Sequence, residues 1–141
     1  IKPHGALYNA IAVDEKLAIL FIHTIKKYTI DAYLYLPYNS VIERVAKENK
    51  IKIKYEAFAD RNYNDDLTLV SRTYENALIL DKMQVFQHVH RIIKEGKIKT
   101  VSGKEVKIKA DTFCVHGDTK NAIEILKYVS RELKNHGIIV R

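Results

Sequence analysis

The chain has 141 residues, 47% hydrophobic and 29% charged, which is enough for one core and one domain. No run reaches the roughly 18 apolar residues of a membrane span, and no basic-then-apolar signal segment opens the chain, so a soluble, cytoplasmic protein is expected. A single cysteine, Cys114, excludes an internal disulfide and a multi-cysteine zinc site. The net charge of +7 invites a nucleic-acid reading. The lysines are dispersed among Ile and Val with no run of stacking aromatics, so a solvated lysine-rich surface and no nucleic-acid partner are expected.

In chain order, Lys2-Pro3-His4 reads as the end of a strand whose beginning is missing, leading through Gly5 into a helical pattern. Asp14 to Tyr28 predicts a helix capped by Asp14, with Leu17, Leu20, Phe21, Ile25 and Tyr28 on its buried face. Ala32 to Leu36 reads as a short buried strand, and Ser40 or Asn39 opens a second helix with Val41, Ile42, Val45 and Ala46 inward. Lys52 to Phe58 is the next strand, followed by polar, irregular sequence from Asp60 to Asn76 with a short extended piece at Leu67 to Val70. Asp81 caps a third helix that Gly96 stops, and Ser102-Gly103 marks a hairpin within Ile98 to Lys109. Thr112 to Val115 predicts a strand, Thr119 to Asn135 a helix burying Ala122, Ile123, Leu126, Val129 and Leu133, and Ile138 to Val140 a final strand. This alternation is that of an α/β protein with a mostly parallel sheet.

Polar side chains gather at three places where such a fold presents chemistry, the carboxyl ends of strands. After the first lie Lys2 and His4, after the second Glu56, Asp60, Arg61 and Tyr63, and after the third His116 and Asp118. Convergence of these strand ends on one rim would make a site. His4 and His116 suit proton transfer, although a buried histidine bonded to a carbonyl is the plainer role for His4. Glu56 suits a general base or a lysine partner. Asp60-Arg61 suits a fixed ion pair offering a guanidinium fork to a carboxylate or phosphate, and a plain surface pair competes with that. Asp118 sits where the last helix needs a cap, Tyr63 and Arg72 are loop donors, and Cys114 reads as core. His4, His116 and one of Asp60 or Asp118 form only a weak metal pattern, so no metal site is expected.

Three blocks in order, Lys2-Pro3-His4-Gly5-Ala6-Leu7-Tyr8-Asn9, Glu56-Ala57-Phe58-Ala59-Asp60-Arg61-Asn62-Tyr63 with Leu69-Val70-Ser71-Arg72, and Asp111-Thr112-Phe113-Cys114-Val115-His116-Gly117-Asp118-Thr119, resemble the LamB/YcsF family. The resemblance covers the carboxyl-terminal part of the family pattern and implies a distorted (β/α) barrel of the glycoside hydrolase/deacetylase type, its amino-terminal portion missing. It implies ATP-dependent opening of the lactam 5-oxoproline to glutamate, as the A subunit beside 5-oxoprolinase subunits B and C. Carried over residue by residue, His4, Glu56, Asp60, His116 and Asp118 become catalytic candidates, and Lys2, Asn9, Arg61, Tyr63 and Arg72 substrate-binding candidates. The resemblance implies ATP, and since no glycine-rich phosphate loop is present it is expected to bind on missing sequence or with the partner subunits.

Two departures stand out: Leu36-Pro37-Tyr38-Asn39-Ser40 replaces a small Gly-Ser turn, and Lys120 replaces proline. The competing readings are a metal-dependent deacetylase-like hydrolase and a shortened, non-catalytic assembly module. A homo-oligomer stays open.

Overall fold

Residues 1–140 are described by a computed structural model, mixed α/β in architecture. The backbone gathers into two compact units, Ile1–Ala57 with Ala110–Thr112, and Phe58–Lys109 with the chain from Phe113 onward. The central strands run in the order β1 (Leu34–Leu36), β2 (Ile53–Phe58), β5 (Thr112–Cys114). Among the described residues no helix is long and apolar enough to cross a membrane.

In the first unit, α1 (Ala6–Val13) and α2 (Glu15–Ile25) meet at Asp14, which closes one helix and caps the next by accepting the Leu17 N–H at 2.9 Å. A single 3-10 turn, Lys26–Tyr28, follows. The inward face of α2 is Ala18 and Ile22, with Leu17, Phe21 and Ile25 beside them, whereas Leu20 is 62% exposed and Tyr28 is exposed too. The expected stripe is thus rotated. Ala18, too small to hold the helix away, faces the core, and Leu20, two positions on, falls on the opposite side of the turn.

Ser40 caps α3 (Val41–Glu48), and β1 pairs with β2 in parallel, Leu34 opposite Ile53 and Leu36 opposite Tyr55. Asn39 adopts a left-handed backbone (φ 59), a conformation that asparagine tolerates where a glycine turn would otherwise stand. Lys2-Pro3-His4 forms no strand ladder. Ile1 pairs with the chain around β1, donating to the Tyr33 carbonyl at 2.7 Å and accepting from the Tyr35 N–H at 2.9 Å, and Pro3 has no N–H to extend the pattern. The core is Ile11, Ala18, Ile22, Leu34, Leu36, Ile42, Val45, Ala46 and Ile51.

The second unit begins at the end of β2, where the Ala59 N–H donates to the Cys114 carbonyl at 2.9 Å. The irregular stretch that follows is pinned by isolated antiparallel bridges, Arg61 to Leu78 and Tyr63 to Leu69. Asp81 caps α4 (Lys82–Glu95) by accepting from the Met83 and Gln84 N–H groups at 3.0 and 2.9 Å, and Gly96 ends it at φ 63. Strands β3 (Lys97–Lys99) and β4 (Glu105–Lys107) form the antiparallel hairpin. Helix α5 spans Ala122–Asn135 and packs on α4 around Ala59, Ile79, Val85, Val89, Ile125, Val129 and Leu133.

Three expectations are corrected here. Asp118 does not cap α5; the cap position is Asn121, left-handed at φ 61, with no side-chain cap bond. The buried stripe of α5 follows the four-residue row through Ile125, Val129 and Leu133, which turns Leu126 outward and leaves Ile123 71% exposed. Ile138 to Val140 is not a strand: the Ile138 N–H bonds back to the Leu133 carbonyl, closing the helix, and its side chain packs on the core.

Candidate active site

Asp60 follows β2 and His116 follows β5, so two strand ends of the second unit present them. Asp60 is 0% exposed, and each of its oxygens is met. Oδ1 lies 2.9 Å from His116 Nδ1, while Oδ2 accepts the His116 backbone N–H at 2.9 Å and the Thr119 hydroxyl at 2.5 Å. Burial pushes the Asp60 carboxyl up, yet the hydrogen bonds from the His116 ring, the Thr119 hydroxyl and the His116 amide outweigh it and hold the group below its ordinary value. An ionised carboxylate only accepts, so Nδ1 of the neutral ring carries its proton and Nε2 holds the lone pair. The ring is stacked on Phe58, centres 4.9 Å apart at 15°, and part of it stays open to solvent. The result is an oriented base with a fixed tautomer and a buried anion behind it.

The neighbours set the surroundings of this pair. Arg72 Nη1 lies 2.5 Å from Asp118 Oδ2 on the surface, and Arg72 holds the Asp118 carboxyl below its usual range. The expected Asp60–Arg61 ion pair is not the bonding found: Asp60 turns to His116 and Thr119, and Arg61, buried, gives its Nε and Nη2 protons to the carbonyls of Ala77 and Val70. Burial and the nearby Arg72 lower the Arg61 guanidinium. Tyr63, expected as a loop donor, is buried; its Oη accepts the Phe58 N–H at 2.7 Å and its ring stacks on His88. Cys114, expected in the core, is half-buried.

The first unit holds the other candidates. Lys2 Nζ lies 2.8 Å from Oε1 of the buried Glu56, so Glu56 takes the lysine-partner role. Glu56 Oε2 is buried without a hydrogen-bond partner among the described residues. His4 and Asn9 are exposed, which removes the buried-histidine role for His4. Among the described residues no group of three or more His, Cys, Asp or Glu side chains is placed to hold a metal ion.

Two residues of this arrangement escape a reading of the sequence. Thr119 lies inside the Asp111 to Thr119 block, but a threonine there looks like a helix start, and only the fold turns its hydroxyl to a carboxylate 59 positions away. His88 shares the inward face of α4 with Val85 and Val89, and a histidine among apolar residues at helical spacing was its one signal. Its Nε2 faces the Phe58 carbonyl at 3.3 Å, and burial lowers its pKa to about 4.

Comparison with known proteins adds a family, two relatives and a solved structure. The family model described as LamB/YcsF matches residues 1–141. The A subunit of 5-oxoprolinase from Campylobacter jejuni (strain 81-176) is 42% identical over 137 residues, 97% of this chain and 54% of that protein. The protein of the same name from Pyrococcus horikoshii is 41% identical over 138 residues, 98% of this chain and 54% of that one. The crystal structure of a lactam utilization protein from Thermus thermophilus superposes with a TM-score of 0.89 at 31% identity, over 99% of this chain and 56% of that chain. The chain thus spans about half the length of the relatives it matches.

Proposed function

The chain belongs to the LamB/YcsF family, and from that membership and the geometry around Asp60 we propose that it takes part in the ATP-dependent hydrolysis of 5-oxoproline to glutamate, as the A subunit of a 5-oxoprolinase with B and C partners. The observation that carries the reading is the buried Asp60 carboxylate held to His116 Nδ1, which leaves Nε2 as the base. In this reading the γ-phosphoryl group of ATP, supplied at the partner subunits, is transferred to the lactam oxygen, and a water oxygen bonds to the activated ring carbon as His116 Nε2 takes its proton. The ring C–N bond then breaks as the same proton passes to the departing nitrogen, and a second water releases phosphate from the resulting acyl phosphate, giving a carboxylate and an amine. Asp60 orients the ring and stabilises the imidazolium between the two transfers.

Arg61 and Arg72 are committed to carbonyls and to Asp118, and neither forms a phosphate cradle in the second unit. The reading therefore assigns ATP to the partner subunits and keeps proton transfer for this chain. A distorted (β/α) barrel, of which this chain is the carboxyl-terminal part, and a cytoplasmic location belong to the same proposal; the parallel β1–β2 pair and the likeness to the Thermus protein support the barrel.

The test is glutamate release from 5-oxoproline by the chain combined with B and C subunits and ATP. The expected outcome is ATP-dependent release, lost by roughly 10²-fold or more in His116→Ala. Release that His116→Ala leaves untouched removes the base, and no release from any combination removes the reaction.

A further inference from the structure

Phe86 and His90 on α4 and His136 at the end of α5 form a ring cluster in the second unit that the proposed chemistry does not use. The ring centres are 5.4 Å apart for Phe86 and His90, 5.1 Å for Phe86 and His136, and 5.3 Å for the two histidines, whose planes cross at 66°. His136 Nδ1 lies 2.8 Å from the Glu132 carbonyl oxygen. A carbonyl only accepts, so Nδ1 carries the proton and the Nε2 lone pair is available. Anchoring one imidazole nitrogen on a backbone carbonyl is how metal-binding histidines are commonly oriented.

The spacing fits a shared ion. Two imidazoles bound tetrahedrally to one Zn²⁺ at the usual Zn–N length of about 2.0–2.1 Å place their ring centres roughly 5 Å apart. Crossed planes, unlike a parallel stack, allow in-plane lone pairs to converge. The two helices that carry the rings pack on each other around Val85, Val89, Ile125, Val129 and Leu133, so the separation is set by rigid elements.

We propose that His90 and His136 together bind one divalent transition-metal ion of the Zn²⁺, Ni²⁺ or Cu²⁺ class, with water in the remaining positions, and that the ion clamps α4 to α5. Nitrogen ligands select this class over Mg²⁺ and Ca²⁺. The site is separate from Asp60 and His116, and its success or failure says nothing about the lactam reaction.

The test titrates the intact chain with ZnCl₂, NiCl₂ and, as a control, MgCl₂, reading the thermal midpoint and the histidine Cε1–H resonances. The expected result is a rise in midpoint that saturates at one equivalent of Zn²⁺ or Ni²⁺ but not Mg²⁺. The resonances of His90 and His136 should move together while that of His23 stays, and affinity should fall at least tenfold in both His90→Gln and His136→Gln. The wild-type spectra need no variant to fold. Absence of binding, binding that leaves either resonance unmoved, or wild-type affinity in either variant overturns the site.

Discussion

Asp60 stays ionised in a fully buried position because the His116 ring, the His116 amide and the Thr119 hydroxyl all point at it. Deleting one of these donors leaves a buried acceptor under-satisfied, a loss of about 1–3 kcal/mol. Thr119→Val should therefore lower the unfolding free energy by that amount in urea melts, and an unchanged midpoint would show that the hydroxyl does not hold the carboxylate. His88 makes a pH prediction. Its folded value is about 4 against an ordinary 6.5, so the unfolded chain takes up a proton that the folded chain refuses. That stabilisation is fully present above pH 6.5 and is lost as the pH falls towards 4, by on the order of 2–3 kcal/mol. His88→Gln, which keeps a donor for the Phe58 carbonyl, should flatten the stability profile between pH 6.5 and 4; a slope equal to the wild type would assign it to another group. Asp60 acts lower: its depressed folded value gives stability present above the ordinary carboxyl range and lost as the pH falls through the folded value. At this scale the sequence shows that Asp60 and His116 are polar side chains at strand ends. It does not show that they pair, because 56 positions separate them and the expected partner of Asp60, Arg61, is adjacent in sequence and bonded elsewhere.

The elements that were legible were those with local punctuation. Asp14, Ser40 and Asp81 accept from the first-turn N–H groups expected of caps, and Gly96 takes the left-handed conformation that ends α4. Where punctuation misleads, the reading fails: Asp118 has the composition and place of a cap but faces Arg72, and Asn121 opens α5 without a side-chain bond. The two aspartates give a paired prediction. Asp81→Ala should cost about 1 kcal/mol, the usual worth of an N-cap, while Asp118→Ala, an exposed surface pair, should leave the unfolding midpoint in place. A large loss for Asp118→Ala with none for Asp81→Ala would reverse these roles. The rotated stripes of α2 and α5 have a common cause. Hydrophobic spacing alone permits more than one inward face when apolar residues occur on both sides of a helix, and small Ala18 or the row through Ile125 and Val129 decides which face packs.

For the molecule as a whole, strand–helix alternation carried the α/β class, and among the described residues each unit holds a core, around Ile22 and Leu36 in the first and around Val85 and Val129 in the second. The charge of +7 is distributed over a surface where Lys2, Lys47, Lys82 and Lys97 each meet a glutamate. Of the candidates spread along the sequence, Asp60, Arg61, Tyr63, Arg72, His116 and Asp118 belong to the second unit, and Lys2, His4, Asn9 and Glu56 to the first. The proposed chemistry needs only the second set, and within it only the His116 ring acts on a proton. Asp60→Asn keeps the shape of the side chain and removes the anion behind that ring, so kcat for glutamate release in the complex with B and C subunits is the decisive quantity. The account predicts a fall in kcat of roughly 10²–10⁴ with KM little changed and circular dichroism preserved. A folded Asp60→Asn protein turning over at the wild-type rate would contradict it.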